Sequence, residues 1–315
     1  PAVAKISKSL VGKILRELKK VSEKNADGYK SFWKEYGAVL KEGLYEDAER
    51  KEALLDLCRF STNENDDPIS LSEYVEKMPE KQKDIYYISA ETKDQALASP
   101  HLEGFKSKKI PVLIMTDAID QFWLPMVGSF KEKKFTSITQ GQINLDDLDE
   151  KNKDKKKDDK NEKEKKDKEY VDLVAQLKVV LGDQVKDIRL SSKLTDSPVC
   201  LVADEGDMDI AMEQLMAQRD TNYKGAPRIL EINGDHSLIK NMKSLLSKKE
   251  NNDLVSDAGT LLFEQARLME GKMPADPAQF SKIMNQFLLK AIPNWQLIGS
   301  FKEKIKNSYQ QTEQS

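Results

Sequence analysis

The sequence predicts an α+β or α/β multidomain chain: a helical coil and a small αβα layer, then an α+β unit that ends in a helical hairpin. Apolar residues recur at helical spacing in the first 58 residues and again after residue 253. Between these parts, short β-rich runs alternate with helix-compatible segments. A charged stretch at 149–169 contains no apolar side chain and divides the chain into two units.

The composition allows a core in each unit and excludes several classes of protein. The chain has 315 residues, of which 38% are hydrophobic. Its 51 basic and 54 acidic residues give a net charge of −3, which argues against a polycation for nucleic acid or an anionic membrane. No apolar run approaches the ~20 residues that cross a bilayer. Two distant cysteines, Cys58 and Cys200, indicate a reducing compartment rather than a disulfide framework.

The first unit is predicted at 1–148, with the helical coil at 1–65 and the αβα layer at 66–148. Three amphipathic stripes predict helices as far as residue 60. Ser70 and Glu73 have the spacing of a capping box, which predicts the start of a further short helix.

Two β-rich runs follow in the same unit, at 84–89 and 111–116. The segment between them is compatible with helices. Strand, helix and strand of this length favour a crossover with parallel strands.

The charged stretch at 149–169 is predicted to be a solvated linker that allows the two units to reorient. Its ten lysines are nearly balanced by nine acids, and no aromatic residue is interleaved. A basic arm for nucleic acid is therefore disfavoured.

The second unit is predicted at 170–292, and the tail at 293–315 has no predicted role. Two strands that pair with each other are predicted at 185–192 and 198–203, and a third at 228–232. Helices are predicted at 170–181, 207–219, 236–248, 253–271 and 276–291.

No catalytic or metal-binding constellation is recognisable. The two histidines, His101 and His236, belong to no HExxH motif and to no His/Cys cluster. The glycine motifs that hold phosphates, GxxxxGK[ST] and GxGxxG, are missing. Spacing alone leaves a Ser-His-Asp or Cys-His set open.

Two groups of apolar residues are candidate contact surfaces. A helical stripe contains Met208, Met212, Leu215 and Met216, and flexible methionine side chains adapt to partners of different shape. Packing of this stripe on its own sheet is the alternative. Phe122 and Trp123 form the second group, for which core packing is again the alternative.

The hairpin helices carry apolar residues at 3–4 spacing, so pairing with a second copy would give a four-helix bundle. Packing against the preceding sheet is an equally supported alternative. The candidate dimerisation residues are Leu261, Leu262, Leu268, Met269, Phe280, Ile283, Met284, Phe287 and Leu288.

Short motifs in both units resemble one family. In the first unit they are LKEG (40–43), RFST (59–62), SLSEYV (70–75), QKDIYYI (82–88), SPHLE (99–103) and DAID (117–120). In the second they are LGDQV (181–185), DIRL (187–190) and LTDSP (194–198). Together they resemble the middle and C-terminal domains of the ninety-kilodalton heat-shock chaperone family.

The resemblance implies a homodimeric, ATP-driven parent protein whose nucleotide-binding domain is absent from this chain. ATP and magnesium are then cofactors of the parent, and this chain itself holds no cofactor and is not an enzyme. The closing residues, Thr312–Ser315, resemble neither eukaryotic cytosolic tails nor a retention signal, which favours a cytoplasmic protein of the bacterial branch. An organellar homologue is the alternative.

The same resemblance implies that non-native client proteins are the partners, together with a second copy of the chain. It favours the stripe with Met208 as a client surface, and Phe122 and Trp123 as a further client contact. The rival interpretations are a scaffold that dimerises without binding clients and the non-catalytic half of an ATPase.

Overall fold

The computed structural model describes residues 2–65, 67–148, 156–220, 223, 225–247 and 251–292. Residues 149–155 of the predicted linker and the predicted tail at 293–315 lie outside these ranges. The described residues form twelve α-helices and nine strands, which confirms the prediction of a mixed α and β chain.

The helices are α1 (Ala2–Lys24), α2 (Ala26–Glu46), α3 (Lys51–Leu57), α4 (Leu71–Lys77), α5 (Lys93–Leu97), α6 (Glu103–Ser107), α7 (Asp120–Val127), α8 (Lys156–Leu181), α9 (Ile210–Arg219), α10 (Ser237–Leu246), α11 (Asn252–Met269) and α12 (Pro277–Ala291). The strands are β1 (Arg59–Thr62), β2 (Ile69–Ser70), β3 (Ile85–Ser89), β4 (Leu113–Met115), β5 (Ser129–Phe130), β6 (Lys133–Ser137), β7 (Val185–Leu190), β8 (Val199–Val202) and β9 (Arg228–Ile232). Among the described residues, no helix is both long and apolar enough to span a membrane.

Helices α1 to α3 form the coil and pack on the first sheet. The Tyr29 hydroxyl on α2 donates a 2.6 Å hydrogen bond to the Leu57 carbonyl oxygen at the end of α3. The third helix ends earlier than the predicted residue 60, because Cys58 is extended and Arg59 begins β1. The region predicted as purely helical coil therefore ends in a strand.

The first sheet has six strands in the order β2-β1-β4-β3-β6-β5. Strands β3 and β4 are parallel, with Tyr87 opposite Leu113, which confirms the predicted crossover. The predicted capping box is also confirmed, since the Ser70 amide donates to Glu73 Oε2 at 2.7 Å and the Glu73 amide donates to Ser70 Oγ at 3.2 Å.

A buried charge network connects two of the motifs in the first core. Lys41 Nζ donates to Asp117 Oδ2 at 2.7 Å and to Asp120 Oδ2 at 2.9 Å. Asp120 Oδ1 also accepts a 2.7 Å hydrogen bond from Trp123 Nε1. Lys41 and Asp120 are both buried, so the LKEG and DAID motifs specify one interior ion pair rather than two surface charges.

The second sheet has three strands in the order β7-β9-β8. The prediction that β7 and β8 pair with each other is wrong, because β9 lies between them, parallel to β7 and antiparallel to β8. Helices α8, α10 and α11 cover this sheet. Gly259 lets α11 approach α8 closely, since a Cβ there would lie 2.3 Å from Leu177 Cδ2.

Direct hydrogen bonds join the two units. The Glu103 carboxylate accepts from the backbone amides of Thr195, Asp196 and Ser197 at 2.8–3.1 Å. Burial acts to raise the pKa of Glu103, but these hydrogen bonds and that of the Ser197 hydroxyl lower it overall. The SPHLE and LTDSP motifs therefore meet at the junction.

Backbone contacts extend the same junction. The Gly141 amide donates to the Ala203 carbonyl oxygen at 2.8 Å, and the Ala203 amide donates to the Thr139 carbonyl oxygen at 2.9 Å. Lys193 Nζ reaches the Ile138 carbonyl oxygen at 2.8 Å. The linker was predicted to let the units reorient, and any reorientation from this arrangement has to break these bonds.

Part of the predicted linker is helical, because α8 begins at Lys156. Its charged side chains reach the second unit, where Lys166 pairs with Asp235 and Glu169 pairs with Lys243, each at 2.8 Å. This helical part is continuous with the segment of α8 whose buried residues begin at Tyr170.

Candidate contact surfaces and their geometry

The methionine stripe lies on α9 and on the residues just before it. The helix begins at Ile210, so the prediction that Met208 lies on the helix is wrong. Asp209 is the N-cap, with an extended backbone and a side chain that accepts from the Ala211 amide at 2.9 Å. Met208 therefore lies beside the helix start rather than on its surface.

The outer side of α9 is apolar and open. Met208 and Met216 are 39% and 38% exposed, and Met212 and Leu215 are partly buried. The four predicted residues are thus close in sequence and at least partly accessible. We refer to Met208, Met212, Leu215 and Met216 as the α9 surface.

Charged and polar groups hold the inner side of α9. Glu213 is buried and forms ion pairs with Arg228 at 2.5 Å and Lys272 at 3.3 Å. Gln214 Nε2 donates to the Glu270 carbonyl oxygen at 2.7 Å. These contacts of Glu213 and Gln214 could not be predicted from the sequence, because a single Glu does not stand out in a chain that is one-third charged.

The cap of α9 is bonded to the first unit as well. Asp209 Oδ2 accepts from Ser137 Oγ at 2.5 Å and from Thr139 Oγ1 at 3.0 Å. The start of the α9 surface is therefore fixed to the first unit, while its middle is fixed to the hairpin through Gln214.

The structure separates the two aromatic candidates on α7. Trp123 has 0% exposure and belongs to the first core, so it is not available as a surface residue. Phe122 is half-buried, with its ring edge-on to Tyr45 at a centroid distance of 6.3 Å. Of the two aromatic candidates, only Phe122 can contribute to an exposed contact.

The nine hairpin candidates face two directions. Leu262 and Ile283 are buried, and Leu261, Phe280 and Phe287 are partly buried. The exposed ones are Leu268, Met269, Met284 and Leu288.

The structure adds two exposed side chains that the spacing did not single out, Met273 and Leu289. Leu289, at 78% exposure, extends the open side of α12. We call Leu268, Met269, Met273, Met284, Leu288 and Leu289 the hairpin surface.

One histidine caps a helix, and the other histidine and both cysteines are buried. His236 caps α10, accepting from the Leu238 amide at 3.1 Å, and His101 is buried at the junction. Burial raises the pKa of the Cys58 thiol to about 12 and also raises that of Cys200. Within the described ranges, no group of three or more His, Cys, Asp or Glu side chains is placed to hold a metal ion.

Comparison with known proteins gives consistent matches along the chain. The family described as Hsp90 protein matches residues 2–315. The chaperone protein HtpG of Roseobacter denitrificans is 42% identical over 294 residues, which is 93% of this chain and 47% of the relative. HtpG of Paramagnetospirillum magneticum is 41% identical over 292 residues, 93% of this chain and 46% of the relative.

A more distant relative agrees with these two. HtpG of Streptomyces coelicolor is 37% identical over 280 residues, which is 89% of this chain and 43% of that protein. The chain thus spans somewhat less than half the length of these curated relatives. Since the family match covers nearly every residue of both units, the chain belongs to the Hsp90 protein family.

Proposed function

We propose that this chain is the part of a molecular chaperone that holds two copies together and offers apolar surface to partly folded proteins. The observation that carries the proposal is the pair of exposed apolar surfaces, the α9 surface and the hairpin surface, in one unit. The relatives are named as chaperones, which supports the same function. Nucleotide binding and a cytoplasmic location belong to the proposal for the longer parent protein.

The hairpin surface suits a second copy of the chain. Ile283 and Phe287 pack α12 onto its own core, while Met284 and Leu288, one turn apart, remain open on another side. Two such hairpins related by a two-fold axis would form a four-helix bundle. Full burial of each large apolar side chain contributes about 1.5–3 kcal/mol, so several of them can offset the entropy of association.

The double variant Met284→Glu/Leu288→Glu is expected to convert the dimer into a monomer, because two carboxylates would have to be buried in the bundle. Sedimentation should then give the chain mass of 35.8 kDa instead of twice that value. Deleting 253–292 would be a poorer test, since Leu262 and Phe263 belong to the core of the second unit.

Lys282→Glu is the matched control, an added carboxylate on an exposed position of the same helix. It should leave the dimer intact. A wild-type chain that sediments as a monomer, or a double variant that remains a dimer, would contradict the proposed role of the hairpin surface.

The α9 surface is the proposed contact for partly folded proteins. Its methionines have flexible and polarizable side chains that can adjust to apolar segments of different shape. Its inner side is held by Glu213 and Gln214, so contact with a client does not require α9 to leave the fold. This arrangement favours client binding over a purely structural stripe.

Replacing Met208, Met212 and Met216 together by Ser should weaken the suppression of client aggregation, measured by light scattering. Because Ser is short and polar, the three substitutions remove most of the apolar area that a client would cover. Val179→Ser is the control, because Val179 is exposed on α8 and belongs neither to the α9 surface nor to α7, where Phe122 is a candidate contact. If the triple variant suppresses aggregation as well as the wild type while remaining a folded dimer, the scaffold interpretation is correct.

A further inference from the structure

The turn between α11 and α12 is bonded directly to α9. Gln214 Nε2 on α9 donates to the Glu270 carbonyl oxygen at 2.7 Å. The Glu213 carboxylate, also on α9, pairs with Lys272 at 3.3 Å, and Glu213 is buried. The inner side of the helix that carries the proposed client surface is therefore attached to the hairpin turn at two consecutive positions.

Two exposed methionines flank these contacts. Met269 immediately precedes Glu270, and Met273 immediately follows Lys272. They are 51% and 71% exposed. Met269 also borders the same small cavity as Gln214, so the two side chains are neighbours. The turn thus places apolar side chains beside α9 that the spacing on α9 alone does not include.

The backbone of the turn is fixed by its own hydrogen bonds. Gly271 has a φ of 75°, its amide donates to the Leu268 carbonyl oxygen at 2.9 Å, and the Lys272 amide donates to the Arg267 carbonyl oxygen at 3.0 Å. These bonds form a Schellman motif at the end of α11. Arg267 Nη2 also donates to the Met273 carbonyl oxygen at 2.9 Å. A partner therefore meets a turn whose backbone is already ordered, which lowers the entropic cost of binding.

The residues proposed to contact a second copy lie farther from this turn. A helix rises about 1.5 Å per residue, so Leu288 is about 16 Å along α12 from Pro277, and Met284 is about 10 Å along it. On α11, Leu268 and Met269 are consecutive and therefore point about 100° apart around the helix axis. The hairpin surface thus divides into a part beside α9 and a part directed elsewhere.

The charges at the turn are paired with each other. Glu213 pairs with Arg228 at 2.5 Å and with Lys272 at 3.3 Å, and Lys272 also pairs with Glu270 at 3.3 Å. Two cations thus balance two carboxylates. The turn does not favour a charged partner, and the area that it leaves open is apolar.

We propose that Met269 and Met273 extend the α9 surface and contact the same apolar segments of partly folded proteins, rather than the second copy of the chain. The proposal rests on the proposed function of the α9 surface. Flexible, polarizable methionine side chains on both the helix and the turn give a longer contact that can adjust to segments of different shape. The second copy then covers the remaining residues of the hairpin surface.

The test measures how tightly the full chain binds reduced, carboxymethylated lactalbumin, a protein that stays unfolded, by fluorescence anisotropy. Met269→Ser/Met273→Ser should weaken binding about fivefold to tenfold, because two apolar side chains leave the contact. The variant should still sediment as a dimer. Val179→Ser is the matched control and should bind like the wild type, since Val179 is exposed on α8 and outside both surfaces.

Methionine methyl NMR of the wild-type chain gives a second readout that removes no apolar area. The signals of Met269 and Met273, assigned with Met269→Leu and Met273→Leu, should shift saturably when the unfolded lactalbumin is added. The Met284 signal should stay in place, because Met284 is proposed to face the second copy. Unchanged signals of both turn methionines would overturn the proposal.

The Ser variant of Met208, Met212 and Met216 separates this inference from the proposed function. If that variant binds the unfolded protein more weakly while Met269→Ser/Met273→Ser binds like the wild type, the α9 surface is a client contact and its extension is wrong. If the α9 variant binds like the wild type, the proposed function of the α9 surface is wrong, and the extension with it. A Met269→Ser/Met273→Ser chain that is folded by circular dichroism but monomeric would assign these methionines to the contact between copies.

Discussion

Replacing Lys41 by Met is expected to lower the free energy of unfolding by about 3–5 kcal/mol, because it leaves the buried Asp120 carboxylate without its counter-ion. The ammonium group also lies 4.9 Å from the Phe60 ring centroid, a contact that the thioether would replace only in part. Urea denaturation of wild type and variant measures the difference.

Lys8→Met is the control for Lys41, since Lys8 pairs with Glu49 at the surface, where ion pairs contribute little. It should change the stability much less. The double variant Lys41→Met/Asp120→Asn removes both charges and keeps an amide oxygen that can accept from Trp123 Nε1.

The double variant should therefore lose less stability than the sum of its two single variants. If Lys41→Met costs no more than Lys8→Met, the buried network does not stabilise the first unit. Circular dichroism before denaturation shows whether each variant begins from the native fold.

Helices with a strong local signal were predictable from the sequence. Asp276 before Pro277 predicted the start of α12, and the Asp276 side chain does accept from the Gln279 amide at 2.9 Å. The 3–4 spacing of its apolar residues likewise predicted the amphipathic face that contains Ile283 and Met284. Such signals lie within one or two turns of a helix, so they depend little on the rest of the fold.

Strand pairing could not be read in the same way. Strands β2 and β5 have two residues each, too few to show an alternating pattern. The pairing of β7 with β9 joins residues that lie about forty positions apart, and nothing in the two strands marks it locally. The adjacent β-rich runs that became β7 and β8 were therefore expected to pair with each other. In the structure β9 lies between them.

The polar contacts of the junction were likewise hidden in the sequence. Glu103 bonds residues 92–94 positions away, and Lys41 bonds acids 76 and 79 positions away. In a chain where 33% of residues are charged, no single Lys or Glu stands out. These residues belong to the motifs that carried the family resemblance. In the structure the LKEG motif bonds the DAID motif, and the SPHLE motif bonds the LTDSP motif.

The candidate contact residues were only partly predictable for a related reason. Periodicity identifies an apolar face and does not tell whether that face packs inward or remains open. Leu262 and Leu268 have the same kind of pattern on α11, yet one is buried in its own core and the other is exposed. Phe122 and Trp123 are adjacent in sequence, yet the Trp123 ring is buried in the core and the Phe122 ring is only half-buried.

Trp123→Ala should lower the free energy of unfolding by about 3–5 kcal/mol, the usual cost of emptying a fully buried aromatic site. The indole packs against Phe60 and Phe135, with ring centroids 6.1 and 5.5 Å away. Its loss also leaves Asp120 without the 2.7 Å hydrogen bond from Nε1. Chemical denaturation, monitored by circular dichroism because the variant loses the buried tryptophan of the first core, measures the change.

Phe122→Ala is the matched comparison, because it removes the neighbouring aromatic ring from a half-buried position on the same helix. It should cost much less stability. The two variants separate packing from client contact at α7: weaker suppression of aggregation by folded Phe122→Ala protein would assign a contact to that ring. A Trp123→Ala variant as stable as the wild type would contradict the buried position of the indole, and the surface interpretation of Trp123 would then have to be restored.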